Sequence, residues 1–204
     1  MKDFIHSKNA IICSIALSVF LCFFILLQLN LIYKFDIAFY QILTSIMSKP
    51  LNMFFIFITT LGGEYFLIGV TAFLLIFFRK RKLPIWVAFN LSISFLVNIL
   101  LKVLIARPRP PAENMILHIG GYSFPSGHSM CSLAFFGTIF YFVYLYLKPS
   151  KLKTFLLILL PIITMLIGLS RIYLGAHYFS DVIAGFSLSI AILSVFSYFY
   201  KNKY

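Results

Sequence analysis

The sequence predicts an all-α integral membrane protein: a bundle of six transmembrane helices in a single domain over residues 1–204, with short interfacial helices between the first and second spans. The chain is 62% hydrophobic and only 11% charged, and its mean hydropathy is +1.01. Ordinary soluble domains are about 45–50% apolar and about 25% charged. A soluble domain of this length could not bury so much apolar surface. The bilayer must therefore serve as part of its solvent.

Six apolar segments are long enough to cross a membrane, for which a helix needs about 20 apolar residues. They cover residues 10–32, 62–78, 84–105, 127–147, 154–173 and 182–199. The first of them follows a basic N-terminus, as the core of a secretory signal would. Its 23 residues exceed the roughly 7–15 of a signal core, and no small-x-small cleavage site follows. We therefore expect it to be a retained first span.

The stretch from 35 to 60 is apolar, but five residues interrupt it: Asp36, Gln41, Lys49, Pro50 and Asn52. We expect this stretch to form one or two helices that lie in the membrane interface. An alternative is that the second span begins as early as Leu51.

Seventeen Lys and Arg residues against five Asp and Glu give the chain a net charge of +12. The basic residues form short clusters between apolar runs, so we expect no nucleic-acid partner. If the N-terminus is cytoplasmic, eleven of the seventeen lie on the cytoplasmic side: Lys2, Lys8, Arg79, Lys80, Arg81, Lys82, Lys148, Lys151, Lys153, Lys201 and Lys203. Six lie on the outer side: Lys34, Lys49, Lys102, Arg107, Arg109 and Arg171. The positive-inside rule then places both termini in the cytoplasm.

Three blocks of polar residues are candidates for a catalytic site, and each also has a purely structural explanation. The first block is Lys102 with the loop 106–111, Ala-Arg-Pro-Arg-Pro-Pro. Charges close to a bilayer are costly and usually mark function. The alternative is a lysine that snorkels to the interface, followed by a stiff proline-rich turn.

The second block, Ser-Phe-Pro-Ser-Gly-His-Ser at 123–129, opens the fourth span. A helix that begins here presents free backbone N–H groups, which suit a phosphate. Ser126 adds a hydroxyl donor, Gly127 lets an oxyanion approach the backbone, and His128 lies in the first turn. The alternative is simple helix initiation.

The third block, residues 170–181, joins the fifth and sixth spans and contains Arg171, His177 and Asp181. His177 and Asp181 are four residues apart, so on a helix they share a face and can form a hydrogen bond. A carboxylate on one imidazole nitrogen leaves the other nitrogen free as a base or nucleophile. The alternative is a His–Asp pair that seals a loop.

All three blocks end at one side of the membrane, and together they predict a site for phosphoryl transfer. Cations and oriented amides suit a multiply charged anion. One histidine can attack phosphorus while the other protonates the leaving oxygen. With only five acidic residues, and no metal-binding spacing among Cys13, Cys22 and Cys131, we expect no metal, no cofactor and no disulfide framework.

The residues of these blocks resemble the three-part signature of the type-2 phosphatidic acid phosphatase superfamily. The matching parts are Lys102, six residues, Arg109-Pro110; then Pro125-Ser126-Gly127-His128; then Ser170-Arg171, five residues, His177, three residues, Asp181. They span residues 102–181, and the six-span layout is similar to that of the bacterial membrane members. The resemblance implies that His177 is the nucleophile, that Asp181 orients it and that His128 is the acid for the leaving group. It also implies a phosphate site made of Lys102, Arg109, Ser126, Gly127 and Arg171.

Two further residues are candidates for supporting roles. Arg107 lies outside the signature, and we expect it to contribute to the electrostatics of the site. Glu64 stands where the second span begins. It either stabilises that helix end through the helix dipole or contacts the headgroup of the substrate.

The resemblance implies a metal-independent lipid phosphatase of the plasma membrane with its active site facing outward. Its candidate substrates are undecaprenyl diphosphate, phosphatidylglycerol phosphate and phosphatidic acid, and no obligate protein partner is expected. Two alternatives stay open. One is a phosphotransferase that passes the phosphoryl group to another lipid or a sugar, and the other is a non-catalytic lipid transporter or binding protein.

Overall fold

The computed structural model describes residues 2–78, 80–111, 116 and 120–203. These residues form nine α-helices and no β-strand, which confirms the all-α fold class. The helices are α1 (Lys2–Ile5), α2 (Lys8–Gln28), α3 (Tyr33–Ser45), α4 (Lys49–Thr60), α5 (Glu64–Phe77), α6 (Lys82–Ile105), α7 (Gly127–Tyr146), α8 (Lys151–Tyr173) and α9 (Phe179–Lys203).

Five of the six predicted spans are long helices. Helices α2, α6, α7, α8 and α9 contain 20 to 25 residues each and are apolar enough to cross a membrane. The second predicted span, 62–78, is the shorter helix α5, which has 14 residues and begins only at Glu64. Gly62 and Gly63 stay outside it, as expected for a residue type that loses much entropy in a helix. At 1.5 Å per residue α5 is about 21 Å long, less than the roughly 30 Å of a hydrocarbon core.

The predicted interfacial segment, 35–60, forms two helices, α3 and α4, which are bent by 119° relative to each other. Pro50 lies in the first turn of α4, where proline costs no hydrogen bond. It therefore helps to start this helix and does not interrupt one. A continuous helix from Leu51 through the second span does not form, because α4 ends at Thr60 and the Gly62–Gly63 pair separates it from α5.

Helix α7 lies at the centre of the bundle and packs against α6, α8 and α9, while α2 lies along α9. The apolar core around α7 includes Leu67, Val87, Phe135 and Ile167. Polar groups also join the helices, since Asn90 donates from Nδ2 to Oγ1 of Thr138 at 2.9 Å. Large apolar side chains are exposed on the outer faces of the helices, among them Ile11, Ile15, Leu96, Val103 and Met165. An apolar exterior over helices whose backbone groups bond internally is what a bilayer requires.

Three helix ends meet at one end of the bundle. Helix α6 ends at Ile105, and Ala106 then turns the chain in the left-handed region with a φ of 50°. Helix α7 begins directly after Ser126, whose hydroxyl oxygen accepts a hydrogen bond from the backbone N–H of Ser129. The backbone N–H of Ser126 in turn donates to the carbonyl of Asp181 at 2.9 Å. This bond joins the start of α7 to the start of α9.

Gly185 is a point of close approach between α9 and the start of α7. A Cβ atom at this position would lie 2.8 Å from the carbonyl oxygen of Ser126, which is a backbone atom. We therefore expect Gly185→Ala to push the two helices apart and to lower stability by about 1–3 kcal/mol, as overpacking typically does. The measurement is the midpoint of thermal unfolding of the purified protein in detergent.

Gly69→Ala in α5 is the matched control, because a Cβ atom there meets no atom within 4 Å. The better helix propensity of alanine should leave the midpoint of this variant unchanged or slightly raised. An unfolding midpoint of Gly185→Ala equal to that of the parent would contradict the close packing of α9 on α7.

Candidate active site

His177 and Asp181 form a buried pair at the start of α9. His177, in the turn between α8 and α9, is 3% exposed, and Asp181, in the first turn of α9, is fully buried. The Nδ1 atom of His177 lies 3.5 Å from Oδ2 of Asp181 and 3.4 Å from the hydroxyl oxygen of Ser123. Its other ring nitrogen, Nε2, lies 3.3 Å from Nη1 of Arg109. The structure thus brings the predicted pair together, with a cation beside the second nitrogen.

Burial lowers the pKa of His177 to about 3, although the hydrogen bond and the charge of Asp181 act in the opposite direction. A histidine with a lowered pKa stays neutral until the pH falls to that value. The ring of His177 is therefore neutral between roughly pH 5 and 8. When Nδ1–H donates to Asp181, the lone pair lies on Nε2, as a nucleophile requires.

The carboxylate of Asp181 accepts hydrogen bonds from three segments of the chain. Nη1 of Arg107 donates to Oδ1 at 2.5 Å, the backbone N–H of Tyr178 donates to Oδ2 at 2.8 Å, and the hydroxyl of Ser123 also donates to Oδ2. Arg107 therefore lies in a buried ion pair. Burial acts to lower the pKa of Arg107, but the carboxylates of Asp181 and Asp36 outweigh this effect and raise it. Arg107 is therefore a permanent cation.

Lys102, Arg109 and Arg171 come together at the same site and act electrostatically on one another. Among the described residues none of the three forms an ion pair with a carboxylate. Lys102 donates to the carbonyl of Tyr122, and Nη1 of Arg109 donates to the carbonyl of Ala176 at 2.8 Å. Like charges repel, so such a cluster favours a bound anion.

Arg171 is the most deeply buried of these cations, at 1% exposure. Its Nη1 donates to the hydroxyl of Thr59 on α4 at 2.6 Å. Its Nε has no hydrogen-bond partner within the described part of the chain. Buried N–H groups are costly when they are left unpaired, and this one is able to donate to an oxyanion.

Ser126 and Gly127 form the start of α7. The hydroxyl oxygen of Ser126 accepts hydrogen bonds from the backbone and, at 2.9 Å, from the hydroxyl of Ser129, so it caps the helix. A contact of its own O–H with phosphate stays a prediction. A Cβ atom at Gly127 would lie 3.0 Å from Oδ1 of Asn98. The Nδ2 atom of the same side chain donates to the carbonyl of Pro125 at 3.0 Å. This glycine therefore lets α6 approach the helix start closely.

His128 lies in the first turn of α7 and is half-buried. Four side chains of the site act electrostatically on its ring: Arg171, His177, Arg109 and Lys102. The ring also lies beside the glycine pair that precedes α5. A Cβ atom at Gly62 would be 3.6 Å from its Cδ2, and one at Gly63 would be 3.9 Å from its Nε2. Both positions are therefore within van der Waals reach of the His128 ring.

Glu64 is the first residue of α5 and is exposed. This position fits a carboxylate that is stabilised by the positive end of the helix dipole. A contact between Glu64 and the substrate headgroup stays a prediction.

Beyond Arg107 and the residues of the three sequence blocks, three more polar residues hold the site: Asn98, Thr59 and Asp36. Asn98 carries a signal in the sequence, because it lies four residues before Lys102 and therefore on the same face of α6. Thr59 carries none, since a threonine in an apolar helix usually serves packing. Asp36 does carry a signal, since a carboxylate in an apolar stretch is costly and marks function by default. Nothing in the sequence shows, however, which group it meets.

Comparison with known proteins places the chain in a family. Residues 83–204 match the model of the PAP2 superfamily. Phosphatidylglycerophosphatase B of Bacillus subtilis is 34% identical over 182 residues, which cover 86% of this chain and 89% of the relative. Undecaprenyl-diphosphatase of Sulfolobus acidocaldarius is 33% identical over 168 residues, which cover 79% and 77%.

The fold is similar to the crystal structure of a transmembrane PAP2-type phosphatidylglycerolphosphate phosphatase from Bacillus subtilis. The TM-score is 0.82 at 32% sequence identity, and the match covers 92% of this chain and 96% of the other. The family resemblance that residues 102–181 indicate is thus confirmed. The similarity extends over nearly the whole chain. This chain is a multi-pass membrane protein and belongs to the PAP2 superfamily.

Proposed function

We propose that this chain is a lipid phosphatase that hydrolyses phosphate esters or anhydrides of membrane lipids through a phosphohistidine on His177. The observation that carries the proposal is the position of Nε2 of His177. It lies 3.3 Å from Nη1 of Arg109 while Nδ1 is turned to Asp181, so nucleophile and phosphate-binding cation are neighbours. The names of the relatives, a phosphatidylglycerophosphatase and an undecaprenyl-diphosphatase, support it.

In the first step the lone pair on Nε2 of His177 attacks phosphorus, and the bond from phosphorus to the leaving oxygen breaks. The imidazole ring becomes cationic as the N–P bond forms. Its Nδ1–H donates to Asp181, whose negative charge stabilises the ring. His128 gives its proton to the leaving oxygen. The lipid departs as an alcohol or, from a diphosphate, as a monophosphate.

In the second step a water molecule attacks the phosphorus of the phosphohistidine, and His128, now neutral, takes the proton of that water. The N–P bond breaks, inorganic phosphate leaves and His177 is regenerated. Lys102, Arg109 and Arg171 neutralise the phosphoryl oxygens in both steps. Metal ions share this task in many other phosphoryl-transfer enzymes.

The proposed substrates are phosphorylated lipids of the plasma membrane: undecaprenyl diphosphate, phosphatidylglycerol phosphate or phosphatidic acid. The lipid tail enters sideways between the helices. The eleven-to-six distribution of basic residues supports an outward-facing site with both termini in the cytoplasm. A phosphotransferase would use the same residues, and release of inorganic phosphate without an added acceptor distinguishes the two activities.

Replacing His177 and replacing His128 should lower the activity in ways that depend differently on the leaving group of the substrate. His177→Ala removes the nucleophile, so phosphate release should fall to background for every substrate. His128→Ala removes the proton donor, a contribution of about 10²–10⁴-fold. Its loss should be smaller on nitrophenyl phosphate or a lipid diphosphate, whose leaving groups are stable anions, than on a lipid monoester. The measurement is phosphate release by the purified variants.

His6→Ala is the matched control for both variants, because His6 is an exposed histidine near the N-terminus. It should retain the activity of the parent. If His128→Ala and His177→Ala lost activity equally across leaving groups of different basicity, the two roles would be wrongly assigned.

Phosphate release should continue in EDTA and should be inhibited by vanadate. The cations of the chain, rather than a metal, neutralise the phosphoryl oxygens, and vanadate adopts the trigonal-bipyramidal shape of the transferring group. The measurement is the rate of phosphate release before and after exhaustive chelation. An enzyme that EDTA silences and magnesium restores would refute the metal-free mechanism.

The site should face outward in intact cells. Single cysteines at Gly120 and Lys151 report the two sides, in a background without the native Cys13, Cys22 and Cys131. Gly120 is exposed, its carbonyl accepts from Arg109, and a Cβ atom there meets no atom within 4 Å. An impermeant thiol reagent should label Gly120→Cys and leave Lys151→Cys unlabelled. Labelling of position 151 alone would show that the site faces the cytoplasm.

A further inference from the structure

Asp36 is a buried carboxylate that the mechanism above does not use. It lies in the first turn of α3 and is 0% exposed. A carboxylate buried without partners is strongly destabilising. The groups that surround Asp36 therefore indicate its role.

Three hydrogen bonds meet at this carboxylate. Nη2 of Arg107 donates to Oδ2 of Asp36 at 2.7 Å. The backbone N–H of Ser180 donates to Oδ1 at 3.0 Å, and the hydroxyl of Ser180 donates to Oδ2. Because Ser180 lies in the first turn of α9, Asp36 also supplies negative charge to the N-terminus of that helix.

Arg107 connects Asp36 to the carboxylate that orients His177. One guanidinium nitrogen, Nη2, donates to Asp36, and the other, Nη1, donates to Asp181. The guanidinium also lies over the ring of Tyr178, 4.2 Å from its centroid. The planar fork of arginine is thus held on three sides, and it sets the distance between the two carboxylates.

The three groups form a cluster of one cation and two carboxylates, with a formal charge of −1. If Asp181 were the only carboxylate partner of Arg107, the pair would be neutral. Asp181 would then be a weaker partner for the positive charge that develops on His177 during attack on phosphorus. With Asp36 present, one negative charge remains beside the imidazole, in a buried site where charges interact strongly.

We infer that Asp36 is a positioning residue for the nucleophile, because it holds Arg107 and thereby keeps Asp181 in the geometry and charge balance that His177 needs. The inference rests on the proposed function of His177. Asp36 itself does not contact the substrate. Its loss therefore slows the chemical step and leaves substrate binding largely intact.

The test compares steady-state phosphate release by Asp36→Asn and by the parent. Asparagine keeps the shape of the side chain but makes the cluster neutral. We expect kcat to fall about ten- to a hundredfold, the range found when a group that orients a metal-binding histidine is removed. KM should change by less than about threefold, since an interaction made only in the transition state lowers kcat.

The double variant Asp36→Asn/Arg107→Gln restores the formal charge of −1, because it removes one anion and one cation. We expect its kcat to exceed that of Asp36→Asn alone, and a double-mutant cycle measures this coupling. A purely structural role predicts that the loss of both groups is at least as harmful as the loss of one. A double variant no better than Asp36→Asn would therefore overturn the inference.

Ser180→Ala is the matched control, because it removes a hydroxyl that bonds to both Asp36 and Arg107 without removing a charge. Its loss of kcat should be smaller than that of Asp36→Asn, and an equal loss would overturn the inference. If Asp36→Asn does not fold, Arg107→Lys takes its place. Lysine keeps the charge but lacks the fork that bridges two carboxylates. A similar loss of kcat supports the inference, and full activity overturns it.

Vanadate binding tests the same point without turnover. It is measured as the shift in the midpoint of thermal unfolding that added vanadate causes. Asp36→Asn should bind vanadate about tenfold more weakly than the parent. If the parent releases phosphate and Asp36→Asn equals it in kcat and in vanadate affinity, the inference fails and the proposed function stands. If the parent releases no phosphate, the proposed function fails, and the inference that rests on it fails with it.

Discussion

Several segments of the chain meet at the carboxylate of Asp181, which is fully buried at the start of α9. Its partners come from the loop after α6, the loop before α7 and the turn before α9: Arg107, Ser123, His177 and Tyr178. Breaking a buried ion pair by removing one partner typically costs about 3–5 kcal/mol, so these segments cannot separate independently. The contacts that compensate the buried charge therefore also fix the position of the imidazole.

Charge balance distinguishes the part of the site that positions His177 from the part for which we propose phosphate binding. In the loop Arg-Pro-Arg-Pro at 107–110, two arginines separated by one proline have different surroundings. Arg107 is paired with two carboxylates. Arg109, in the described part of the chain, donates to backbone carbonyls and lies beside Nε2 of His177. One guanidinium has its charge balanced by the protein, while the other retains a positive potential that suits a phosphate oxygen.

The sequence predicts the long helices because their apolar runs match the thickness of a bilayer, and it predicts the site residues because the spacing of the signature is specific. The start of α5 differs, since the glycine pair at 62–63 stays outside the helix. The partners of Asp36 could not be predicted. Its bonds to Arg107 and Ser180 join residues 71 and 144 positions apart. Hydrophobic periodicity and local spacing contain no information about such contacts, which depend on how α3 packs against α9.

Helix α3 is attached to the start of α9 by apolar as well as polar contacts. Phe35 and Phe39 are four residues apart and share a helix face, and both pack against Phe179, with ring centroids 5.5 and 4.8 Å apart. Asp36 lies between them in sequence and bonds to Ser180, the residue after Phe179. The ring of Tyr178 lies over the guanidinium of Arg107, and both partners of the ion pair of Asp36 with Arg107 are buried, a setting that strengthens a satisfied polar network. The packing of α3 and the geometry around Asp181 are therefore set by one continuous group of contacts, and a helix outside the signature takes part in holding His177.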